Sequence, residues 1–221
     1  MRRQILLQTL FIISGLWSVI SLAAVAPTST RYFIKSSQEH INIKVKNGAD
    51  ETYMAQAWIE DLEGNKVVDS LSVLPSVFKI KSQGEVLLRL FNKNKPVQDD
   101  REHMFYIVVQ DIPPKNTKGE INAIKIAYRS KIPLYYQPEV IGEQSRSVFA
   151  EKLIWSMKDN HLEVRNTSPF YFTIVSLDDE KLSGMNIIPP LTSFQFDAIT
   201  SLPNTFRYVN DFGAFVSVNI D

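Results

Sequence analysis

The chain has 221 residues, 44% of them apolar and 22% charged, with 24 basic side chains against 24 acidic ones. A formal net charge of zero gives no general electrostatic pull toward nucleic acid or an anionic membrane, and the length suits one large domain or two of about 100 residues. Cysteine is absent, which excludes disulfides, thiol catalysis, thiolate metal sites and thiol redox chemistry and leaves the core alone to hold the fold.

The N-terminus opens with Arg2 and Arg3, continues as an apolar run over 5–19, and reaches Ser21-Leu22-Ala23, a small-x-small cleavage pattern. This predicts a signal peptide over 1–23, cut after Ala23, rather than an uncleaved anchor. Loss of Arg2 and Arg3 leaves 22 basic against 24 acidic side chains, a mature net charge of −2. No later apolar run approaches the ~20 residues needed to cross a bilayer.

Strand signals dominate the rest. Tyr32-Phe33-Ile34 is a short strand. Ile41-Asn42-Ile43-Lys44-Val45 alternates strictly and ends at the turn pair Asn47-Gly48. Strands are expected over 53–59, closed by Glu63-Gly64-Asn65, then over 67–74 and 77–80 around Pro75, and over 86–91 after Gln83-Gly84. Met104-Phe105-Tyr106-Ile107-Val108-Val109 is apolar throughout, the pattern of a strand buried on both faces. A long strand is expected from 124 to 136, beginning with the alternating Ile124-Lys125-Ile126-Ala127-Tyr128. Turn signals at short regular spacing, without a helical period, argue for an all-β antiparallel sandwich over 24–138.

Gly142 and several polar residues mark 138–147 as a hinge. A second strand series follows it at 153–155, 161–164, 170–177, 194–196 and 215–220, punctuated by Pro169, Pro189-Pro190 and Pro203. The expected organisation is therefore a signal peptide over 1–23, one β-sandwich over 24–138 and a second over 139–221.

Residue patterns for catalysis are scarce. His40, His103 and His161 lack metal-ligand spacing. There is no G-x-S-x-G elbow, P-loop or G-x-G-x-x-G. Asp178-Asp179-Glu180 lacks the spacing of a calcium loop and reads as a solvated turn. Asp99, Asp100 and Glu102 read as a turn before a buried strand, not a catalytic pair. The aromatic residues lie within strand patterns, with no basic cluster beside them to make a base-stacking platform. The expectation is a protein without enzymatic activity, cofactor, metal, nucleic-acid partner or small-molecule substrate.

Several blocks together resemble one family, the periplasmic chaperones of the chaperone–usher pilus pathway (PapD-like and FimC-like proteins). Thr30-Arg31-Tyr32-Phe33-Ile34 is similar to the family's first strand, and Gln56-Ala57-Trp58-Ile59 to its Q-x-W-[VI] strand. Leu74-Pro75-Ser76-Val77-Phe78-Lys79-Ile80 resembles P-P-x-F-R-[LI], and Leu88-Arg89-Leu90 resembles L-R-I. The most specific block runs from Asp100-Arg101-Glu102 to Ile112-Pro113-Pro114 and resembles D-R-E-S-L-F-W-x-N-V-x-x-I-P. Ile132 to Pro138 is similar to I-K-L-[FY]-Y-R-P, Asn166-Thr167-Ser168-Pro169-Phe170-Tyr171 to N-P-T-P-Y-[YF], and Asn210-Asp211-Phe212-Gly213 to N-D-Y-G. The blocks follow the family's order and cover nearly the whole mature chain.

The resemblance implies two immunoglobulin-like β-sandwich domains in an L-shaped arrangement. It implies a periplasmic chaperone that binds, folds and caps pilus (fimbrial) subunits by donor-strand complementation and delivers them to an outer-membrane usher. The donor residues would be Ile124, Ile126 and Tyr128, which share one face of a strand. Periodicity alone equally allows them to face the domain's own core. The resemblance also implies an arginine and a lysine that grip the subunit's C-terminal carboxylate. Arg31 falls at the arginine position; Pro133 occupies the lysine position, and Lys131, two residues earlier on the same face of a regular strand, is expected to substitute. Glu102 and Asp211 fall at interdomain polar positions, but the family's linking arginine is Gln137 here, which leaves Arg101 or Arg207 to supply the cation. Val108 stands where the family carries asparagine. The short segment between Pro114 and Ile124, with no cysteine, resembles the short-loop branch. A free exposed strand edge also invites self-association. The readings set against this one are a pilus or surface-adhesion structural subunit and a secreted carbohydrate-binding sandwich. A subunit would lack its last strand, and a glycan binder would expose its aromatics.

Overall fold

The computed structural model describes residues 24–94, 100–114, 126–197 and 199–220. The expected signal peptide over 1–23 and the expected donor residue Ile124 lie outside the described residues.

The first domain is two sheets face to face. One has the order β1 (Val25–Pro27), β3 (His40–Asn47), β8 (Glu85–Asn92), β6 (Leu71–Leu74). The other has the order β2 (Tyr32–Lys35), β10 (Arg129–Gln137), β9 (His103–Ile112), β4 (Tyr53–Glu60), β5 (Lys66–Val67), with β7 (Val77–Ile80) also pairing β4. Alternation does the sorting. Ile43 and Val45 of β3, with Leu88 and Leu90 of β8, point inward against Ile59, Ile107, Val109, Leu134 and Tyr136 of the facing sheet. Leucine, isoleucine and valine side chains buried in this way each contribute about 1.5–3 kcal/mol.

The second domain repeats the plan with β11 (Ile154–Lys158), β12 (His161–Asn166) and β15 (Thr192–Phe196) against β14 (Glu180–Ile188), β13 (Phe172–Leu177), β16 (Thr205–Val209) and β17 (Phe215–Asn219). Trp155 stacks on Phe196 and meets Phe206 at the centre of its core.

β9 is apolar on both faces because both are covered. Ile107 and Val109 face the sandwich interior. Met104, Tyr106 and Val108 face outward into a smaller cluster with Tyr135, against which Tyr171 and Ile187 of the second domain pack. The expected strand over 67–74 is two strands, β5 and β6, with residues 68–70 bending between them. The expected hinge is also ordered chain: a 3₁₀ turn at Glu139–Ile141 and the helix α1 (Arg146–Ala150), with Ile141, Arg146 and Ala150 all buried.

Candidate functional site

A buried charge cluster joins the two domains, and local side-chain bonds build each of its parts. Asn166 donates from Nδ2 to the Phe170 and Pro189 carbonyls at 2.7 and 2.8 Å and accepts the Ser168 N–H at 3.0 Å. That loop presents its Pro169 carbonyl to the Glu102 N–H at 2.9 Å and its Tyr171 N–H to Glu102 Oε2 at 3.0 Å. On the other side, Asn210 Oδ1 accepts the Phe212 and Ala214 N–H groups and shapes the turn that carries Asp211. Gly213 is required in this turn. Its φ is +82°, and a Cβ there would lie 2.7 Å from Thr30 Oγ1, so the turn seats directly on the chain before β2.

Arg146 at the start of α1 is the cation of the cluster. Its Nη2 and Nη1 reach the two Glu102 oxygens at 3.1 and 3.2 Å, and its Nε reaches Asp211 Oδ1 at 2.7 Å. Nη1 also donates to the Tyr171 carbonyl. Gln137 Nε2 donates to Glu102 Oε1 at 3.0 Å. Arg146 and Glu102 are 2% and 1% exposed, so this is a desolvated pair. Burial works against the guanidinium's charge, but Glu102 and then Asp211 outweigh it and hold Arg146 above its ordinary value. The sequence expectation is corrected here. Arg101 pairs with Asp100 and Arg207 with Asp179; the compensating arginine lies instead in the stretch read as a hinge.

Arg31 lies beside this cluster, immediately before β2. Its Nη1 donates to the Val209 carbonyl at 3.3 Å, its Nε is buried without a partner, and no carboxylate among the described residues pairs with it. Burial pulls Arg31 below its ordinary value, but a guanidinium stays charged. It is a cation between two domains with donor capacity left over.

Lys131 is on β10. The β9–β10 register runs unbroken from Arg129 opposite Gln110 to Tyr136 opposite His103, so Pro133 introduces no bulge and Lys131 keeps the face of Pro133 and Tyr135. β2 runs parallel to β10 with Tyr32 beside Leu134, and continuing that register puts Arg31 beside Pro133. Lys131 is not idle. Its Nζ is 2.7 Å from Glu60 Oε2 and lies over the Tyr106 ring at 4.8 Å, and Glu60 also accepts the Trp58 Nε1–H at 2.7 Å. The Lys131 bond, against the opposing effect of burial and with help from Trp58, holds the buried Glu60 carboxyl below its usual range. A carboxyl depressed on folding stabilises the fold above its unfolded pKa, and that stability is lost as pH falls through the folded value. Replacing Lys131 by alanine removes the largest depressing cause and leaves burial, which acts the other way. The acid-side loss of stability that Glu60 contributes is therefore expected to shrink or reverse, so the melting temperature of the variant should fall less than that of the wild type as pH is lowered through the carboxylate range, and superimposable profiles would refute this coupling. From sequence alone Glu60 reads as an ordinary strand-end acid.

The segment expected to donate differs from its predicted form. β10 begins at Arg129, not at 124, and residues 126–128 lie outside regular strand. Ile126 and Tyr128 have the parity of the inward-facing Leu134 and Tyr136, yet they lie beyond their own core: Ile126 is 60% exposed and Tyr128 38%. The alternative in which they face that core does not hold for these two residues.

Fold and interdomain charge cluster together define a protein of two packed β-sandwiches. The chain belongs to the pili-assembly chaperone family: residues 24–142 match the PapD N-terminal domain of pili and flagellar-assembly chaperones, and residues 149–219 match the PapD C-terminal domain. It is 32% identical over 216 residues to the probable fimbrial chaperone YfcS of Escherichia coli K12, covering 93% of this chain and 86% of that one. The periplasmic chaperone SfaE superposes with a TM-score of 0.74 at 26% identity, over 88% of this chain and 98% of that one. The Salmonella enterica SafB chaperone, solved in complex with the SafA pilin, superposes with a TM-score of 0.76 at 18% identity, over 91% and 99% of the two chains, and shows a shared fold. The chain is thus a chaperone of chaperone–usher pilus assembly.

Proposed function

We propose that this chaperone works in the periplasm after cleavage of residues 1–23 and binds pilus subunits by donating the strand that includes Ile124, Ile126 and Tyr128. It then passes them to an outer-membrane usher. The observation that carries the reading is the placement of Ile126 and Tyr128. They continue the apolar face of β10 past the point where their own sandwich can cover it. A partner sandwich lacking a strand would cover them, with main-chain bonds giving affinity and the alternating side chains giving register.

In this reading Arg31 anchors the subunit's C-terminal carboxylate, supported by its unfilled buried Nε and the lack of an acidic partner among the described residues. Lys131 is the second anchor cation, two residues or about 6.6 Å along the strand from the position beside Arg31. A subunit carboxylate has to share it with Glu60. Glu102 and Asp211 hold the two domains together beside Arg31 through Arg146. The test is co-purification from periplasmic extract with a co-expressed pilus subunit. The wild type is expected to yield a soluble one-to-one complex. Arg31→Ala is expected to weaken capture by about 10–100-fold, the worth of a charge-assisted bidentate contact. Undiminished capture by that variant removes Arg31 from the anchor, and absence of any wild-type complex removes the whole reading.

A further inference from the structure

β9 and β10 stop pairing before β9 ends. The last laddered pair is Gln110–Arg129, although β9 continues through Asp111 and Ile112, which still pair with Ala55 and Met54 of β4. Extended backbone is therefore available on β9 for one more step. The Asp111 N–H takes that step, donating to the Tyr128 carbonyl at 3.0 Å. The return bond goes elsewhere. The Tyr128 N–H donates at 2.7 Å to Oδ1 of the Asp111 side chain.

Asp111 is an unexpected residue at this place. It shares the inward face of β9 with Ile107 and Val109 and is 0% exposed. Its Oδ2 is buried without a hydrogen-bond partner. A half-satisfied carboxylate at the edge of an apolar core is costly, and burial pushes Asp111 above the usual carboxylate range even though the Tyr128 N–H opposes that shift. A valine here would be the ordinary choice for a strand facing a core. What the carboxylate achieves is local. It reaches further than a main-chain carbonyl and meets the partner N–H out of the ladder's plane, so the chain preceding Tyr128 leaves β9. Ile126, the second residue along, is 60% exposed.

We propose that Asp111 is a positioning residue for strand donation: its side chain captures the Tyr128 N–H, ends the β9–β10 ladder there, and leaves both backbone edges of Ile126 and Ala127 open to a subunit. The proposal rests on the donation reading. A strand that fills a gap between two strands must bond on both edges, which it cannot do while laddered to β9. Without such a stop, the register would lay Tyr128 and Ala127 along Asp111 and Ile112 and hold this stretch against β9.

The experiment compares wild type, Asp111→Val and Asp111→Asn as full mature chains, by amide hydrogen exchange and by association rate with a pilus subunit. Asparagine keeps an Oδ1 acceptor and is expected to behave as wild type in both. Valine returns the Tyr128 N–H to the main chain, with protection at 126–128 rising about tenfold or more and subunit association slowing about tenfold, because the ladder must open first. If the valine variant does not fold, Asp111→Ala carries the same expectation without added bulk. Unchanged exchange at 126–128 overturns the proposal, and so does loss of protection along the whole of Arg129–Gln137, which would make Asp111 a plain support of β10. The exchange arm needs no subunit. A wild type that captures none sinks the donation reading, while exchange still decides whether Asp111 ends the ladder.

Discussion

Replacing Arg146 by methionine should be among the most damaging single changes in the chain. Methionine fills much of the same volume and removes every polar bond the guanidinium makes. Glu102 is then left with the Tyr171 N–H and the Gln137 amide but without a counter-charge, in a site 1% exposed. Breaking one side of a buried ion pair costs about 3–5 kcal/mol. The Asp211 contact adds little to that, because Asp211 is one-third exposed and solvent screens it. The loss falls on the contact between the domains, not on either core. Calorimetry is expected to show a lowered and split transition, with each sandwich melting separately. A methionine variant that melts in one transition at the wild-type temperature would dismiss the cluster as the domain lock.

Two companions separate charge from packing. Glu102→Gln in the methionine background removes the uncompensated buried charge and should recover part of the loss, a coupling that a double-mutant cycle reads directly. Gln137→Arg in the same background tests position. Gln137 Nε2 already stands 3.0 Å from Glu102 Oε1, so an arginine there starts within reach of the same carboxylate. Recovery would show that a guanidinium supplied from β10 can replace one supplied from α1.

Arg146 also marks what the sequence could and could not disclose. The strands were legible because burial leaves a local trace. Alternation in β3 and β8 reports one covered face, and the unbroken apolar run of β9 reports two. The resemblance implies interdomain positions for Glu102 and Asp211, and both carboxylates meet Arg146. It could not place their partner, because Arg146 lies 44 residues from Glu102 and 65 from Asp211, and no local pattern records such a meeting. The stretch around it looked like a hinge since Gly142 and its polar neighbours are turn-formers. Ile141 and Arg146 are buried there by what packs onto them, not by anything periodic in their own segment. β14 (Glu180–Ile188) went unseen for a related reason. Glu180-Lys181, Ser183-Gly184 and Asn186 interrupt its apolar residues, and its strand form comes from pairing with β13. Ile124-Lys125-Ile126-Ala127-Tyr128 has the alternation of a strand, so the sequence pattern runs past the start of β10 at Arg129; the Asp111 side chain, which stops the ladder short of it, is far away in sequence.

Ile126→Asp separates folding from function more sharply than any other change. In the free protein Ile126 is 60% exposed and outside both cores, so an aspartate there should leave stability within about 0.5 kcal/mol of wild type. In a complex the same side chain would enter an apolar subunit pocket. The variant forfeits the ~1.5–3 kcal/mol of burying isoleucine and adds the penalty of an unpaired carboxylate in an apolar site, at least a further ~2 kcal/mol. A combined loss of about 4 kcal/mol or more corresponds to roughly a thousandfold in affinity, enough to abolish co-purification. Tyr128→Ala should weaken capture less, because it loses contact area without burying a charge. Titration of each variant against a pilus subunit, beside its melting curve, reads both quantities. Capture by Ile126→Asp at wild-type affinity would mean that this segment stays outside the subunit. Loss of capture together with loss of fold would mean that Ile126 supports its own domain. Only the combination of an intact melt and abolished capture fits a side chain whose pocket belongs to the partner.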